Sequence, residues 1–66
     1  MTPEEIKKIR DDLGVSQERL ASLLGTTTTT VNRWENGKVK PSRLYVKELK
    51  ELVKNHETYI RRRKKD

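Results

Sequence analysis

Apolar residues along this chain recur at intervals of three and four, the spacing of a helix face rather than the alternation of a strand. Ile6, Ile9 and Leu13 mark the first such face. Thr2 stands ready as its N-cap, Pro3 suits the first helical position, and Glu5 completes a Thr-x-x-Glu capping box. Gly14 is placed to end the helix as a left-handed C′ residue. A second helix is predicted behind Ser16, with Leu20, Ala21, Leu23 and Leu24 facing inward and Gly25 as its end. Arg19 occupies the place of a capping-box glutamate, so only half of that device is present. The link from Gly14 to Ser16 is short, as in compact helical domains.

The next stretch poses a problem. Residues 26–30 are all threonine, a residue stiff at χ1 and a middling helix former. A helix nevertheless fits between Thr27 as N-cap and Gly37 as C′ residue. At about 100° per residue, Thr28, Asn32, Thr29 and Arg33 share one side, while Thr30, Val31 and Trp34 share the other. Glu35 falls at the seam. The polar side carries donors and acceptors of graded length and no acid, and Trp34 belongs to the core.

Pro41 interrupts the chain, and a fourth helix is predicted from about Ser42. Leu44, Tyr45, Val46, Leu49, Leu52 and Val53 are its inward candidates. No Gly or Pro follows, and His56, Tyr59 and Ile60 continue the spacing. One long helix to about residue 60 is expected in preference to a break near Asn55. The terminal Arg-Arg-Arg-Lys-Lys-Asp run repels itself and is expected to fray. The pattern is therefore all-α, a compact bundle of four to five helices.

Composition narrows what such a bundle can do. With 66 residues there is room for one small domain, and with no cysteine there is neither disulfide nor thiolate metal site. Only 30% of residues are apolar and 39% are charged, so no stretch qualifies as a membrane span or signal-peptide core. His56 is the single histidine, and Asp11 and Asp12 point apart on a helix. No phosphate loop, nucleophile elbow or metal-ligand cluster occurs, so no catalytic residue, cofactor or metal is assigned. The net charge of +6 is unevenly spread. Residues 1–30 hold four Lys/Arg against five Asp/Glu, whereas residues 31–66 hold twelve against five. The basic half begins where the third helix does, which points to a polyanionic partner.

The stretch LGVSQERLASLLGTTTTTVNRWENGKVKPS, residues 13–42, resembles the phage-repressor and Cro-like (XRE) helix-turn-helix family of DNA-binding transcriptional regulators. The likeness lies in the Ser-Gln-Glu-x-Leu-Ala start of the second helix and the glycine of the turn. It extends through the Arg-Trp-Glu-Asn-Gly run and the Lys-x-Lys-Pro-Ser that follows. The resemblance implies a lambda-repressor-like domain over residues 1–55, with 56–66 as a basic C-terminal extension or tail. It implies sequence-specific binding of double-stranded DNA, with a recognition helix of about residues 28–36 in the major groove, and a repressor role. Carried over by position, Thr28, Thr29, Asn32 and Arg33 read bases, and Gln17, Thr26, Thr27, Asn36, Lys38, Lys40 and Arg43 meet the backbone or flanking bases. Arg10 and Glu35 stand where some phage repressors pair the first and third helices, which would orient the recognition helix. The Met1 start is taken to mean a nearly complete chain.

The chemistry of the residues agrees. Arginine bonds guanine O6 and N7 together, and threonine offers a hydroxyl to either kind of base edge and a methyl to thymine. The implied partner is a palindromic operator bound by a homodimer, in the cytoplasm of a bacterium or on phage DNA. Tyr45, Leu52, His56, Tyr59 and Ile60 serve equally as a dimer seam or as internal core. The alternative is an antitoxin or adaptor module that uses the same fold to hold a toxin or another protein. An RNA partner is less favoured, because aromatic platforms for unpaired bases are lacking. The basic end is read as a phosphate-binding tail, a targeting patch or a solubilising stub.

Overall fold

Each of the first three helices begins at a hydroxyl. Thr2 Oγ1 accepts from the Glu5 backbone N–H at 3.2 Å, Ser16 Oγ from Arg19 at 3.1 Å, and Thr27 Oγ1 from Thr30 at 3.2 Å. At the first of these Glu5 reaches back to the Thr2 N–H at 2.9 Å, closing the capping box. The computed structural model describes the backbone of residues 1–65 and the side chains of residues 1–55. It contains α1 (Pro3–Leu13), α2 (Gln17–Leu24), α3 (Thr28–Glu35) and α4 (Arg43–Lys65), with no strand among the described residues.

The turn between α2 and α3 is made by Gly25 at φ 71°, ψ 31°, a left-handed conformation that a side chain disfavours. There the Gly25 N–H donates to the Ser22 carbonyl and the Thr26 N–H to the Ala21 carbonyl, at 3.2 and 2.9 Å. These bonds use up carbonyls that α2 would leave unpaired, and they turn the chain within three residues of the next cap.

The core is Ile6, Leu20, Ala21, Leu24, Val31, Trp34 and Leu49, drawn from all four helices. Met1, Ile9, Leu13, Val15, Tyr45 and Leu52 pack around it, half-buried. α3 lies mainly against α2 and also touches α1, while α4 crosses α1 and the end of α2. The Trp34 and Tyr45 rings meet at 5.2 Å between centroids, tilted by 55°, and tie α3 to α4.

Two positions expected inside are outside. Leu23 is 44% exposed and Leu44 is 62% exposed. Leu23 neighbours Leu24 in sequence, and a helix turns about 100° between them. In a two-turn helix that already buries Leu20, Ala21 and Leu24, no partner remains for a fourth apolar side chain. Leu44 lies five residues before Leu49, about 140° away around α4. Val46 and Val53 are only half-buried. α4 runs without a break near Asn55, as the absence of Gly and Pro requires. The helix continues to Lys65, through most of the basic run expected to fray beyond about residue 60. The expected roles of the His56, Tyr59 and Ile60 side chains lie outside the described side chains.

Candidate nucleic-acid interface

α3 is held from behind. Val31 is fully buried and Trp34 is 2% exposed, one turn apart on the face that meets α2 and α1. The opposite face is therefore open, and Thr28, Thr29, Asn32 and Arg33 all stand exposed on it. Thr30 is half-buried at the boundary.

The remaining threonines divide by local chemistry. Thr27 spends its hydroxyl on the cap and on the Thr30 hydroxyl, 3.0 Å away. Thr26 is half-buried, with its N–H committed to the end of α2. The first-turn N–H groups of α3 have no acceptor within the helix and lie beside Thr28 and Thr29. No acidic residue occupies this first turn, so nothing opposes an approaching anion there.

Beyond α3 the chain stays positive and exposed. Asn36 caps the helix C-terminus, and its Nδ2 donates to Asn32 Oδ1 at 2.9 Å. Lys38 and Lys40 follow on the connection to α4 and Arg43 opens α4, all with exposed side chains. The Lys38 backbone N–H donates to the Arg33 carbonyl at 2.9 Å, which keeps this connection folded against the end of α3.

Glu35, the acid on α3, points the other way. It is 4% exposed and receives the Arg10 guanidinium on both oxygens, Nε to Oε2 at 2.8 Å and Nη2 to Oε1 at 3.2 Å. Arg10 Nη1 also donates to the Val15 carbonyl at 3.3 Å, so one side chain of α1 ties the start of α2 to the end of α3. The bonds to Glu35 hold the guanidinium above its already high ordinary pKa, against the opposing effect of burial.

Gln17 has partners inside the protein that its position in the sequence does not reveal. Half-buried at the start of α2, it donates from Nε2 to Glu35 Oε1 at 3.2 Å and accepts from Asn32 Nδ2 at 3.4 Å. It is thus built into the interior of the site as well as lying near its edge. Its partners are 15 and 18 residues away, so only the packing of α2 on α3 could disclose them.

Among the described residues, no group of His, Asp or Glu side chains is arranged to hold a metal ion. No helix there is long and apolar enough to cross a membrane.

Two short helices joined by a glycine turn, the second buried on one side and polar, acid-free and open on the other, define a helix-turn-helix protein. The helix-turn-helix family model matches residues 6–59, and the chain belongs to that family, in its Cro- and phage-repressor-like branch of DNA-binding transcription regulators. Among individual curated proteins, none matches the chain.

Proposed function

We propose that this protein recognises a specific double-stranded DNA site by laying α3 in the major groove, and represses transcription by occupying that site. The observation that carries the reading is the open face of α3, with Thr28, Thr29, Asn32 and Arg33 exposed and Val31 and Trp34 buried behind them. Arg33 supplies the fork for guanine O6 and N7, Asn32 the paired donor and acceptor for adenine, and the two threonines methyls for thymine. Short side chains at the start of the helix let its axis approach the bases. Lys38, Lys40 and Arg43 meet phosphates, with Gln17, Thr26, Thr27 and Asn36 at the edges of the contact. These positions fix register and add affinity without reading sequence.

A homodimer on a palindromic operator would set two copies of α3 about 34–36 Å apart on one face of the duplex. The basic extension after residue 55 adds phosphate attraction, and the setting is the bacterial cytoplasm or phage DNA within it. The antitoxin or adaptor reading draws its support from Leu23, Val39 and Leu44, apolar side chains left exposed.

Selection from a random duplex library at physiological salt tests the proposal. The expected product is an inverted repeat bound with affinity that falls by about 0.9 log units per neutralised phosphate for each log unit of salt. Arg33→Ala should relax the preference at one base pair by about 1–3 kcal/mol, while Lys40→Ala should weaken specific and random DNA alike. Recovery of no consensus, or equal losses on both kinds of DNA for both variants, refutes the assignment.

A further inference from the structure

The open face of α3 is connected to the buried charge behind it by an unbroken line of hydrogen bonds. Glu35 Oε1 accepts from Gln17 Nε2 at 3.2 Å, Gln17 Oε1 accepts from Asn32 Nδ2 at 3.4 Å, and Asn32 Oδ1 accepts from Asn36 Nδ2 at 2.9 Å. The direction of every amide follows from the first member. A carboxylate has no hydrogen to give, and Arg10, its other partner, only donates. Gln17 must therefore turn its NH₂ to Glu35, which leaves its carbonyl oxygen facing Asn32. That oxygen takes the NH₂ of Asn32, and the Asn32 oxygen is left toward Asn36.

We infer that Glu35, acting through Gln17, is a positioning residue for base readout, because it fixes which way round the Asn32 amide is presented to the groove. The inference rests on the DNA-binding reading given above. An asparagine amide has two N–H groups and an oxygen with two lone pairs. One of each is committed here, so Asn32 offers one donor and one acceptor in a set order. That order suits adenine, whose N7 accepts and whose N6 donates at the major-groove edge. The reversed amide would face N6–H₂ with a second donor, and would meet guanine O6 or thymine O4 instead. A buried acid remote from the DNA thereby selects between bases, and the line passes through the base-facing amide where a purely structural ion pair would stop at Arg10.

Glu35→Gln supplies a side chain that can both donate and accept, and so permits Gln17, and with it Asn32, to reverse. Gln17→Met cuts the line while leaving the Arg10–Glu35 pair in place, which guards against loss of fold as the explanation. Both variants, with Asn32→Ala to mark the base pair concerned, are carried through the random-library selection and checked for helical content. The expected result is a fall of roughly tenfold in discrimination at that base pair in both, with preferences at the Arg33 position retained. Folded variants that keep discrimination there, or that lose it evenly at every position, overturn the inference. If the unaltered protein selects no consensus, the DNA-binding reading fails, and nuclear magnetic resonance of the free protein tests the relay alone. Side-chain amide signals of Gln17 and Asn32 should then be individually shifted, slow to exchange, and displaced by Glu35→Gln. Averaged signals that this change leaves in place overturn it independently of DNA.

Discussion

Arg10→Met removes one partner of a buried ion pair and leaves the other in place. Glu35 is 2% exposed at the side chain and loses two of its three hydrogen bonds, those at 2.8 and 3.2 Å, keeping only Gln17. Hydrogen bonds to charged groups contribute about 1.5–3 kcal/mol each, so the gross loss is about 3–6 kcal/mol. The Arg10 side chain is 23% exposed, and water entering its place recovers part of that. A net cost of about 3 kcal/mol results, at the low end of the range for breaking buried pairs. For 66 residues the whole stability is about 3–10 kcal/mol, so this one change brings the domain near its limit.

Urea denaturation followed by circular dichroism reads the effect directly, and thermal melting should show a fall of about 12–24 °C. Arg10→Met with Glu35→Met should recover much of the loss, because no charge then remains buried, although Gln17 is left to water. The cycle of two single variants and the double variant isolates the coupling. A single-variant cost below about 1 kcal/mol, or additive losses in the double variant, refutes the reasoning and returns Arg10 to the class of exposed ion pairs.

Leu49 is fully buried where α4 meets the core, so Leu49→Ala should cost about 2–5 kcal/mol in urea, and a cost below about 1 kcal/mol would show α4 undocked. Glu5 accepts the Thr2 backbone N–H, and this bond, with the Thr2 side-chain contact, lowers its pKa below the ordinary 4.5. A carboxylate with a depressed folded-state pKa adds stability above its unfolded value and loses it as pH falls through the folded one. Melting temperatures of Glu5→Gln and the unaltered protein should therefore differ near neutrality and converge in acid; parallel curves down to about pH 2 contradict the capping box.

Much of this fold is legible because it is written in local chemistry. Thr2, Ser16 and Thr27 each cap an N–H three residues ahead, a contact that needs no tertiary partner. Gly25 ends α2 by its own backbone freedom, and the lack of Gly or Pro beyond Pro41 lets α4 continue. Periodicity also finds Ile6, Leu20, Val31, Trp34 and Leu49. It finds Leu23 and Leu44 as well, and there it errs, because a pattern states which way a face points and not how wide a neighbour covers it. Gln17 shows the same limit at the site. Its position at the start of α2 suggests an outward contact, and it says nothing of the bond that its amide makes to Glu35 once α2 and α3 pack together. The exposed faces of single helices can be read from sequence, but bonds that bridge helices depend on packing distances.

The threonines give the same argument its energetic form. Thr28, Thr29 and Thr30 are poor choices for the first turn of an eight-residue helix. A helix this short is marginal on its own, so α3 owes its shape to the Thr27 cap and to the burial of Val31 and Trp34. Thr28 and Thr29 are exposed, and neither hydroxyl is needed for that burial. Replacing both by alanine should therefore stabilise the protein, by about 0.5 kcal/mol per site from helix propensity. The melting temperature should rise by about 4–8 °C per kcal/mol gained, while operator affinity falls. Residues that serve the fold behave the opposite way, as Leu49 is expected to. Calorimetry and operator titration on the same Thr28→Ala, Thr29→Ala sample decide the matter. A lower melting temperature would make the threonines part of the scaffold, and a higher one with unchanged operator affinity would remove them from the interface.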